Sequence, residues 1–226
     1  MKRIISVVIL LFCLSFCLLA QPISYSSSST TGTHAGHEWV DLGLSVKWAT
    51  CNVGASSPEG YGSYFAWGET SPKSEYIWPN LKYCNDNRGY RFSKYNQNQR
   101  GTKDSKTQLD LNDDAARADW GGNWRMPTRN EFKELIANCT WTWTTLNGVN
   151  GYKVTSRSNG NFIFLPAAGW RYDTNLYDAG NGGRYWSSSL YESYSYRAHD
   201  LSFKSGGSGT DYHYRRDGQS VRPVCP

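Results

Sequence analysis

The stretch 52–108 constrains the fold more than any other part of the sequence. It carries many Gly, Pro, Asn and Tyr residues and shows almost no hydrophobic periodicity. Segments of this kind form neither amphipathic helices nor half-buried strands. Because loops of such length are uncommon in a compact domain, the fold must be one that tolerates them. We expect long irregular loops here, held in place by Tyr64, Phe65, Trp67 and Trp78.

The composition predicts a core built from aromatic rings. Only 38% of the residues are hydrophobic, yet 15% are aromatic, with 10 Trp and 16 Tyr. Large flat side chains bury enough area to hold a domain together where aliphatic residues are scarce. The formal net charge is +5 and no basic run occurs, which argues against a nucleic-acid partner.

The first twenty residues have the pattern of a secretory signal peptide. Lys2 and Arg3 precede an apolar run that ends at Ala20, a small residue suited to a cleavage site. A transmembrane anchor is the rival interpretation, but the run is slightly short and is followed by Ser and Thr rather than by charge. Lipidation at Cys13 or Cys17 is disfavoured because Phe precedes each cysteine.

These features predict an exported protein. We expect residues 1–20 to be a signal peptide, 21–37 a flexible Ser/Thr-rich linker and 38–226 one folded domain. The protein would then reside outside the cell, on its surface or in the periplasm, with no membrane insertion after cleavage. His34 and His37 could form a metal-binding pair, but two solvated histidines beside a flexible segment are favoured.

Two helices are predicted from their ends. Asp113 and Asp114 precede a short helix that Gly121 terminates, and helix capping is favoured over a calcium site for this acidic pair. Thr128 and Glu131 form a capping box that opens a second, amphipathic helix over 129–137.

Strands are predicted on both sides of these helices. Two strand-like runs lie between Trp39 and Ala49, separated by Gly43. The pairs Asn147-Gly148 and Asn159-Gly160 indicate hairpin turns after the second helix. Three further strands are expected, at 185–189, 198–203 and 219–224.

Four cysteines remain after the predicted cleavage, and an even number in an oxidising compartment indicates two disulfides. Three pairings are possible, and metal ligation or thiol chemistry are the alternatives. The candidates are Cys51, Cys84, Cys139 and Cys225.

The segment 191–217 is rich in Tyr, Ser, Gly and Arg and has almost no aliphatic residue apart from Leu201. Tyrosine gives contact area at low entropy cost, and Ser and Gly give adaptable hydrogen bonds, so this composition is typical of binding surfaces. Strand alternation predicts that Leu201 and Phe203 point inward and Ser202 and Lys204 outward. The predicted ligand-binding residues are Tyr191, Tyr194, Tyr196, Arg197, His199, Asp211, Tyr212, His213, Tyr214 and Arg215.

Six motifs carry a resemblance to a known family: EWVDLGLSVKWATCNVGA (38–55), WGGNWRMPT..EF (120–132), FLPAAGWR (164–171), YWSSS (185–189), A..LSF.S (198–205) and SVRPV (220–224). In this order they resemble the Fibrobacter succinogenes major paralogous domain over residues 38–226. The resemblance implies an α+β, C-type-lectin-like fold, with a small mixed antiparallel sheet, two short helices and long irregular loops. It also implies that the first and last strands pair, which would set Trp39–Leu42 near Ser220–Val224.

Two further implications follow from the resemblance. The C-terminal motifs are similar to segments that diversity-generating retroelements mutate in variable proteins. The calcium-binding tripeptides of animal C-type lectins (Glu-Pro-Asn, Gln-Pro-Asp and Trp-Asn-Asp) do not occur in the sequence. Calcium-dependent sugar binding is therefore not implied, and we predict no metal and no cofactor.

The expected function is a secreted or cell-surface, adhesin-like module that binds an unknown protein or glycan at the cell exterior. A structural cell-envelope or pilus-associated subunit is the alternative. A cysteine-dependent enzyme of the formylglycine-generating type is less favoured, because no second cysteine lies near Cys225. His199 and His213 lie near Asp200 and Asp211 and could form an acid–base pair, but we predict a non-enzyme.

Overall fold

The structure, a computed structural model, describes residues 31–226. It contains 40% strand and 11% helix. The strands are β1 (Thr31–His34), β2 (His37–Val40), β3 (Lys47–Ala49), β4 (Arg91–Phe92), β5 (Arg100–Gly101), β6 (Cys139–Leu146), β7 (Val149–Ser156), β8 (Phe162–Pro166), β9 (Trp170–Tyr172), β10 (Asn175–Tyr177), β11 (Gly182–Leu190), β12 (Arg197–Lys204), β13 (Gly207–Tyr214) and β14 (Val224–Cys225). The α-helices are α1 (Ala115–Trp120) and α2 (Arg129–Asn138).

The α+β, C-type-lectin-like fold class expected from the sequence is wrong, because the described chain is mostly β. The strands form several small sheets instead of one mixed antiparallel sheet. The physical reason lies after α2, where Thr-, Tyr- and Trp-rich segments joined by tight turns pair as hairpins. The long irregular loops were expected correctly.

The first sheet has the strand order β1-β2-β3-β14 and brings distant parts of the chain together. Residues 31–37, expected as the end of a linker, form β1, its turn at Ala35 and Gly36, and the first residue of β2. The expected pairing of the first and last strands is also wrong. β14 pairs with β3, with Val224 opposite Trp48.

Both helices begin where their capping residues predicted. The Asp114 side chain accepts from the N–H of Arg117, and α1 ends at Gly121. Thr128 and Glu131 form the reciprocal capping box of α2. Phe132 and Leu135 on α2 are buried in the core that the first sheet covers.

The hairpin predictions are confirmed for the sheet β6-β7-β8. Asn147 and Gly148 both adopt positive φ and connect β6 to β7, where Leu146 lies opposite Val149. Asn159 and Gly160 lie in the turn between β7 and β8. An Asn-Gly pair favours such turns because both residues tolerate the left-handed backbone region.

The sheet β11-β12-β13 carries the tyrosine-rich segment. Arg197 lies opposite Tyr214 and His199 opposite Tyr212 in the register of β12 and β13. Leu201 and Phe203 are buried and Lys204 is exposed, which confirms the predicted inside–outside assignment. β13 forms one edge of this sheet.

Aromatic side chains hold the irregular region 52–108 against the sheets, as expected. Trp67 is fully buried and donates from its indole to the carbonyl of Ser187 at 2.8 Å, while Trp186 donates to the carbonyl of Phe65 at 2.8 Å. Tyr64 and Trp78 belong to a third buried cluster that also contains Phe92. Within residues 31–226, no helix is long and apolar enough to cross a membrane. The predicted signal peptide, residues 1–20, lies outside the described residues.

Candidate functional site

Five tyrosines of the segment 191–214 form one partly exposed surface, which we call the tyrosine face: Tyr191, Tyr194, Tyr196, Tyr212 and Tyr214. Tyr194, Tyr212 and Tyr214 are 48%, 36% and 37% exposed. Two pairs of rings are stacked, Tyr191 on Tyr212 at 4.0 Å between centroids and Tyr194 on Tyr196 at 5.4 Å. The structure therefore brings together all five tyrosines that the sequence predicted.

Arg197 joins the two stacks of the tyrosine face. Its guanidinium carbon lies 5.2 Å from the ring centroid of Tyr212, 4.9 Å from that of Tyr214 and 5.5 Å from that of Tyr196. A cation among ring faces is attracted by their quadrupoles. Arg197 lies opposite Tyr214 in the β12–β13 ladder, so strand pairing alone places the charge among the rings.

His199 and Arg215 do not lie on this surface, and their prediction as ligand-binding residues is wrong. His199 is 1% exposed, with Nδ1 3.2 Å from the carbonyl oxygen of Asp211. It shares the inward face of β12 with Leu201, which strand alternation accounts for. Asp211, in contrast, is exposed on β13 as predicted.

Arg215 is fully buried and ties the β12–β13 hairpin to the neighbouring loops by hydrogen bonds. It donates to the carbonyls of Ser195 at 3.0 Å and Tyr95 at 3.2 Å, and its guanidinium carbon lies 4.5 Å from the ring centroid of Phe92. Burial lowers the pKa of Arg215 to about 10, which leaves it charged at neutral pH. The backbone of the irregular loop thus supplies the acceptors that a charged group inside a protein requires.

A groove of about 190 Å³ continues the tyrosine face toward the irregular loops. Its lining includes two arginines and no acidic side chain; it consists of Trp78, Arg88, Gly89, Tyr90, Tyr196, Tyr214 and Arg216. The guanidinium carbon of Arg216 lies 4.9 Å from the ring centroid of Trp78 and 5.1 Å from that of Tyr214. We call this feature the groove.

The loop that forms the far wall of the groove is fixed by its own backbone. A carboxylate oxygen of Asp86 accepts from the N–H groups of Arg88 at 3.0 Å, Gly89 at 2.7 Å and Tyr90 at 3.1 Å. Burial alone would raise the pKa of Asp86, but these hydrogen bonds lower it below its usual value. Gly89 has φ +76°, and a Cβ there would lie 2.6 Å from the Trp78 ring, so only glycine allows this close approach.

A buried polar cluster lies next to Arg216. The Asp200 carboxylate accepts from Gln219 at 2.8 Å and lies 2.6 Å from Nδ1 of His213. Asp217 is 2% exposed, and its carboxylate lies 3.8 Å from Nε of Arg216. Burial raises the pKa of Asp217 to about 7. His213 is therefore held from within the fold by Asp200.

The cysteines give no support to the expected disulfides. Cys51, Cys84, Cys139 and Cys225 are all unpaired in the structure. Cys139 and Cys225 are buried in two different hydrophobic clusters. Burial raises the pKa of the Cys139 thiol to about 11 and also raises that of Cys225, so neither position favours a reactive thiolate.

His34 and His37, for which solvated side chains were favoured over a metal-binding pair, are half-buried and have structural partners. His34 accepts from the backbone N–H of Asn123 at 2.7 Å, and His37 stacks on Trp120 with 3.8 Å between centroids. Among residues 31–226, no group of three or more His, Cys, Asp or Glu side chains is arranged to hold a metal ion.

Sequence reasoning did not assign to the site four side chains that line the groove: Trp78, Arg88, Tyr90 and Arg216. The first three belong to the irregular region, where no periodicity indicates which face a side chain occupies. Arg216 carried a usable signal. Arg215 and Arg216 directly follow β13, and continuing the alternation of Tyr212 and Tyr214 by one step places Arg216, not Arg215, on the outward side.

Comparisons with known proteins add one match. A family model described as "Domain of unknown function (DUF8237)" matches residues 150–224. No curated protein matches the chain. No solved structure matches it either, so the C-type-lectin-like expectation receives no support there. The matched range covers all but the first residue of β7 and all of β8 to β13, so it includes the tyrosine face but not the loop wall of the groove.

Proposed function

We propose that the chain is an exported, adhesin-like binding module. Its ligand surface is the tyrosine face together with the groove. One observation carries this proposal: a continuous series of partly exposed rings, interleaved with Arg197 and Arg216, is mounted on a buried framework. Exposed aromatic clusters of this kind are unfavourable in water, and they are enriched where proteins bind partners.

The rigidity of the framework supports the same function. Leu201 and Phe203 are buried below the sheet, and Arg215 ties the end of β13 to the loop backbone. Binding surfaces gain affinity when their side chains lose little freedom on association. The stacked and cation–ring contacts already restrict the tyrosines before any ligand arrives.

We propose a non-enzymatic role at the cell exterior, with no metal or cofactor and no nucleic-acid partner. The raised thiol pKa values of Cys139 and Cys225 argue against a cysteine-dependent reaction. The pair His213–Asp200 is formed, whereas His199 does not meet the Asp211 carboxylate: it contacts the backbone oxygen of Asp211 and, at 3.4 Å, a carboxylate oxygen of Glu192. Export is proposed from the N-terminal pattern of charge, apolar run and small residue.

Membership of the Fibrobacter succinogenes major paralogous domain family, with retroelement diversification of the C-terminal segment, stays a prediction. The genomic neighbourhood tests it directly. A reverse transcriptase gene and a near-copy of the DNA that encodes the C-terminal segment would support diversification. Absence of both from the complete surrounding sequence would contradict it.

Binding is tested with two double variants of the exported chain. Tyr196→Ala/Tyr214→Ala removes the centre of the surface, and Phe162→Ala/Tyr177→Ala removes comparably exposed rings elsewhere, since Phe162 is 51% and Tyr177 39% exposed. Binding is measured to immobilised neutral and acidic oligosaccharides and to intact bacterial envelopes. We expect the first variant to lose binding and the second to retain it, because central aromatic residues carry most of the energy of an interface.

EDTA should leave binding unchanged. Equal binding by the wild type and the Tyr196→Ala/Tyr214→Ala variant would contradict the proposed surface. Unfolding of that variant, followed by circular dichroism, would mean that these rings belong to the core.

A further inference from the structure

The groove has a composition that differs from the rest of the tyrosine face. It is lined by two arginines and four aromatic side chains, with no aliphatic and no acidic side chain. Flat rings provide surfaces against which another flat or saturated ring can lie, and the arginines provide positive charge beside them. The lining therefore selects for a ligand that combines a ring with a negative charge.

The guanidinium groups of the groove have hydrogen-bonding capacity left. Nε of Arg216 is buried and therefore closed to a ligand, so a ligand reaches this guanidinium only at its terminal nitrogens, which donate no hydrogen bond within the described residues. The neighbouring Asp217 lies 3.8 Å away, too far for a hydrogen bond, and burial favours its neutral form by raising its pKa to about 7. Arg88 is exposed on the opposite wall, and its side chain makes no ion pair within residues 31–226. Arginine binds carboxylates through paired N–H donors.

The size of the groove limits what can enter. Its volume of about 190 Å³ lies below the roughly 300–1,000 Å³ of pockets that enclose drug-sized ligands. One six-membered ring with its substituents fits, whereas a folded peptide segment does not. The hydroxyls of Tyr90, Tyr196 and Tyr214 suit a ligand that carries hydroxyl groups of its own.

These observations rest on the proposed function, and they define its ligand more closely. We propose that the groove binds the terminal carboxylated pyranose of an acidic glycan. The C–H face of the sugar lies against Trp78 and Tyr214, because polarised C–H groups are attracted to the negative face of an aromatic ring. The carboxylate lies between Arg88 and Arg216. A neutral sugar has the same ring but leaves both guanidinium groups without an anion.

The test uses two trisaccharides of galactose type with the same linkage, one with carboxylates at C6 and one with hydroxymethyl groups. Calorimetric titration of the exported chain measures both affinities. We expect the acidic trisaccharide to bind at least about tenfold more tightly, since hydrogen bonds to charged groups are stronger than neutral ones. Raising the salt concentration should reduce this preference.

Arginine variants locate the charge. Arg88→Gln and Arg216→Gln should each weaken the acidic trisaccharide about tenfold or more and leave the neutral one within about twofold. Arg157→Gln is the matched control, because Arg157 is exposed at a turn between β7 and β8 and does not line the groove. It should change neither affinity.

Each of the other possible outcomes contradicts one part of the two proposals. If both trisaccharides bind with equal affinity and the Tyr196→Ala/Tyr214→Ala variant loses this binding, the preference for an acidic sugar is overturned and the proposed function stands. If neither trisaccharide binds while intact envelopes still bind through the tyrosine face, the proposed sugar ligand is overturned and the proposed binding surface stands. Tight binding of a tetraglutamate peptide in the groove instead would reassign the ligand to acidic protein. Binding of the trisaccharide that survives Tyr196→Ala/Tyr214→Ala would overturn both proposals.

Discussion

The two ends of the β12–β13 ladder differ in what they do, although they share one face of one sheet. Near the turn, Leu201 and Phe203 are buried in the core with Tyr185. At the other end, Arg197, Tyr212 and Tyr214 emerge onto the tyrosine face. The same alternation of strand residues therefore builds a core at one end and an exposed aromatic surface at the other.

The change from core to surface occurs near His199 and Arg215, two polar residues that are buried. Both use backbone carbonyls as hydrogen-bond acceptors, from Asp211 for His199 and from Tyr95 and Ser195 for Arg215. The buried side chains of His199 and Arg215 thus fix the backbone that carries the exposed rings. The comparison predicts that stability depends on the buried set and that binding depends on the exposed set.

The largest effect is expected for the adjacent arginines at the end of β13. Arg215→Ala should lower the free energy of unfolding by about 3–5 kcal/mol, because it opens a cavity and leaves buried carbonyls without donors. Arg216→Ala should cost only about 0.5–1 kcal/mol, the energy of partly exposed cation–ring contacts. Urea unfolding measures both. Similar losses in the two variants would mean that the buried and exposed roles are not separated.

A pair on the same face of the sheet tests the ladder itself. Leu201→Ala should destabilise the fold by about 2–5 kcal/mol, since its side chain is fully buried. Tyr212→Ala should cost less than about 1.5 kcal/mol, the contribution of one exposed ring pair. Thermal unfolding of the two variants checks this order, and the reverse order would contradict the division.

A pH-dependent effect is expected at the boundary, where Asp217 lies beside Arg216. Burial raises the pKa of Asp217 from 3.8 to about 7. The folded chain retains this proton where the unfolded chain loses it. The contribution to stability is therefore complete below about pH 4 and is lost as the pH rises through 7.

Asp217→Asn should remove this loss. The difference in unfolding free energy between the variant and the wild type should grow by roughly 2–3 kcal/mol from pH 5 to pH 8. The comparison between the two proteins at each pH isolates Asp217 from Asp114, whose pKa burial raises to about 6. A constant difference across this range would show that Asp217 titrates normally.

The smallest effect is expected away from the ladder. Thr128→Ala should cost about 1 kcal/mol, because it removes the side-chain acceptor for the N–H of Glu131 at the start of α2. Binding to the immobilised oligosaccharides should be unchanged. A loss of binding with this small loss of stability would couple α2 to the tyrosine face and weaken the proposed separation.

Local signals in the sequence predicted local structure well. The caps of α1 and α2 and the two Asn-Gly turns depend on residues only a few positions apart, so neighbouring side chains are enough to specify them. The inward placement of Leu201 and Phe203 follows from strand alternation in the same way.

The fold class and half of the site depended on distant contacts and could not be predicted in this manner. β14 pairs with β3 across most of the chain length, and no local pattern selects that partner. Arg215 is buried because loop carbonyls near Tyr95 accept its hydrogen bonds. Polarity alone predicts that an arginine is exposed, and the burial of Arg215 depends on a loop contact that no local pattern indicates.

The segment 218–225 is hydrogen-bonded along its length to earlier segments. Its residues meet Arg171, Phe65, Trp186, Val53, Ala49 and Arg125. None of these backbone groups has its native partner until this segment is present. A chain that emerges residue by residue therefore cannot complete these contacts before residues 218–225 have emerged, and copies cut short before residue 218 would leave the partner groups unpaired and be open to proteolysis.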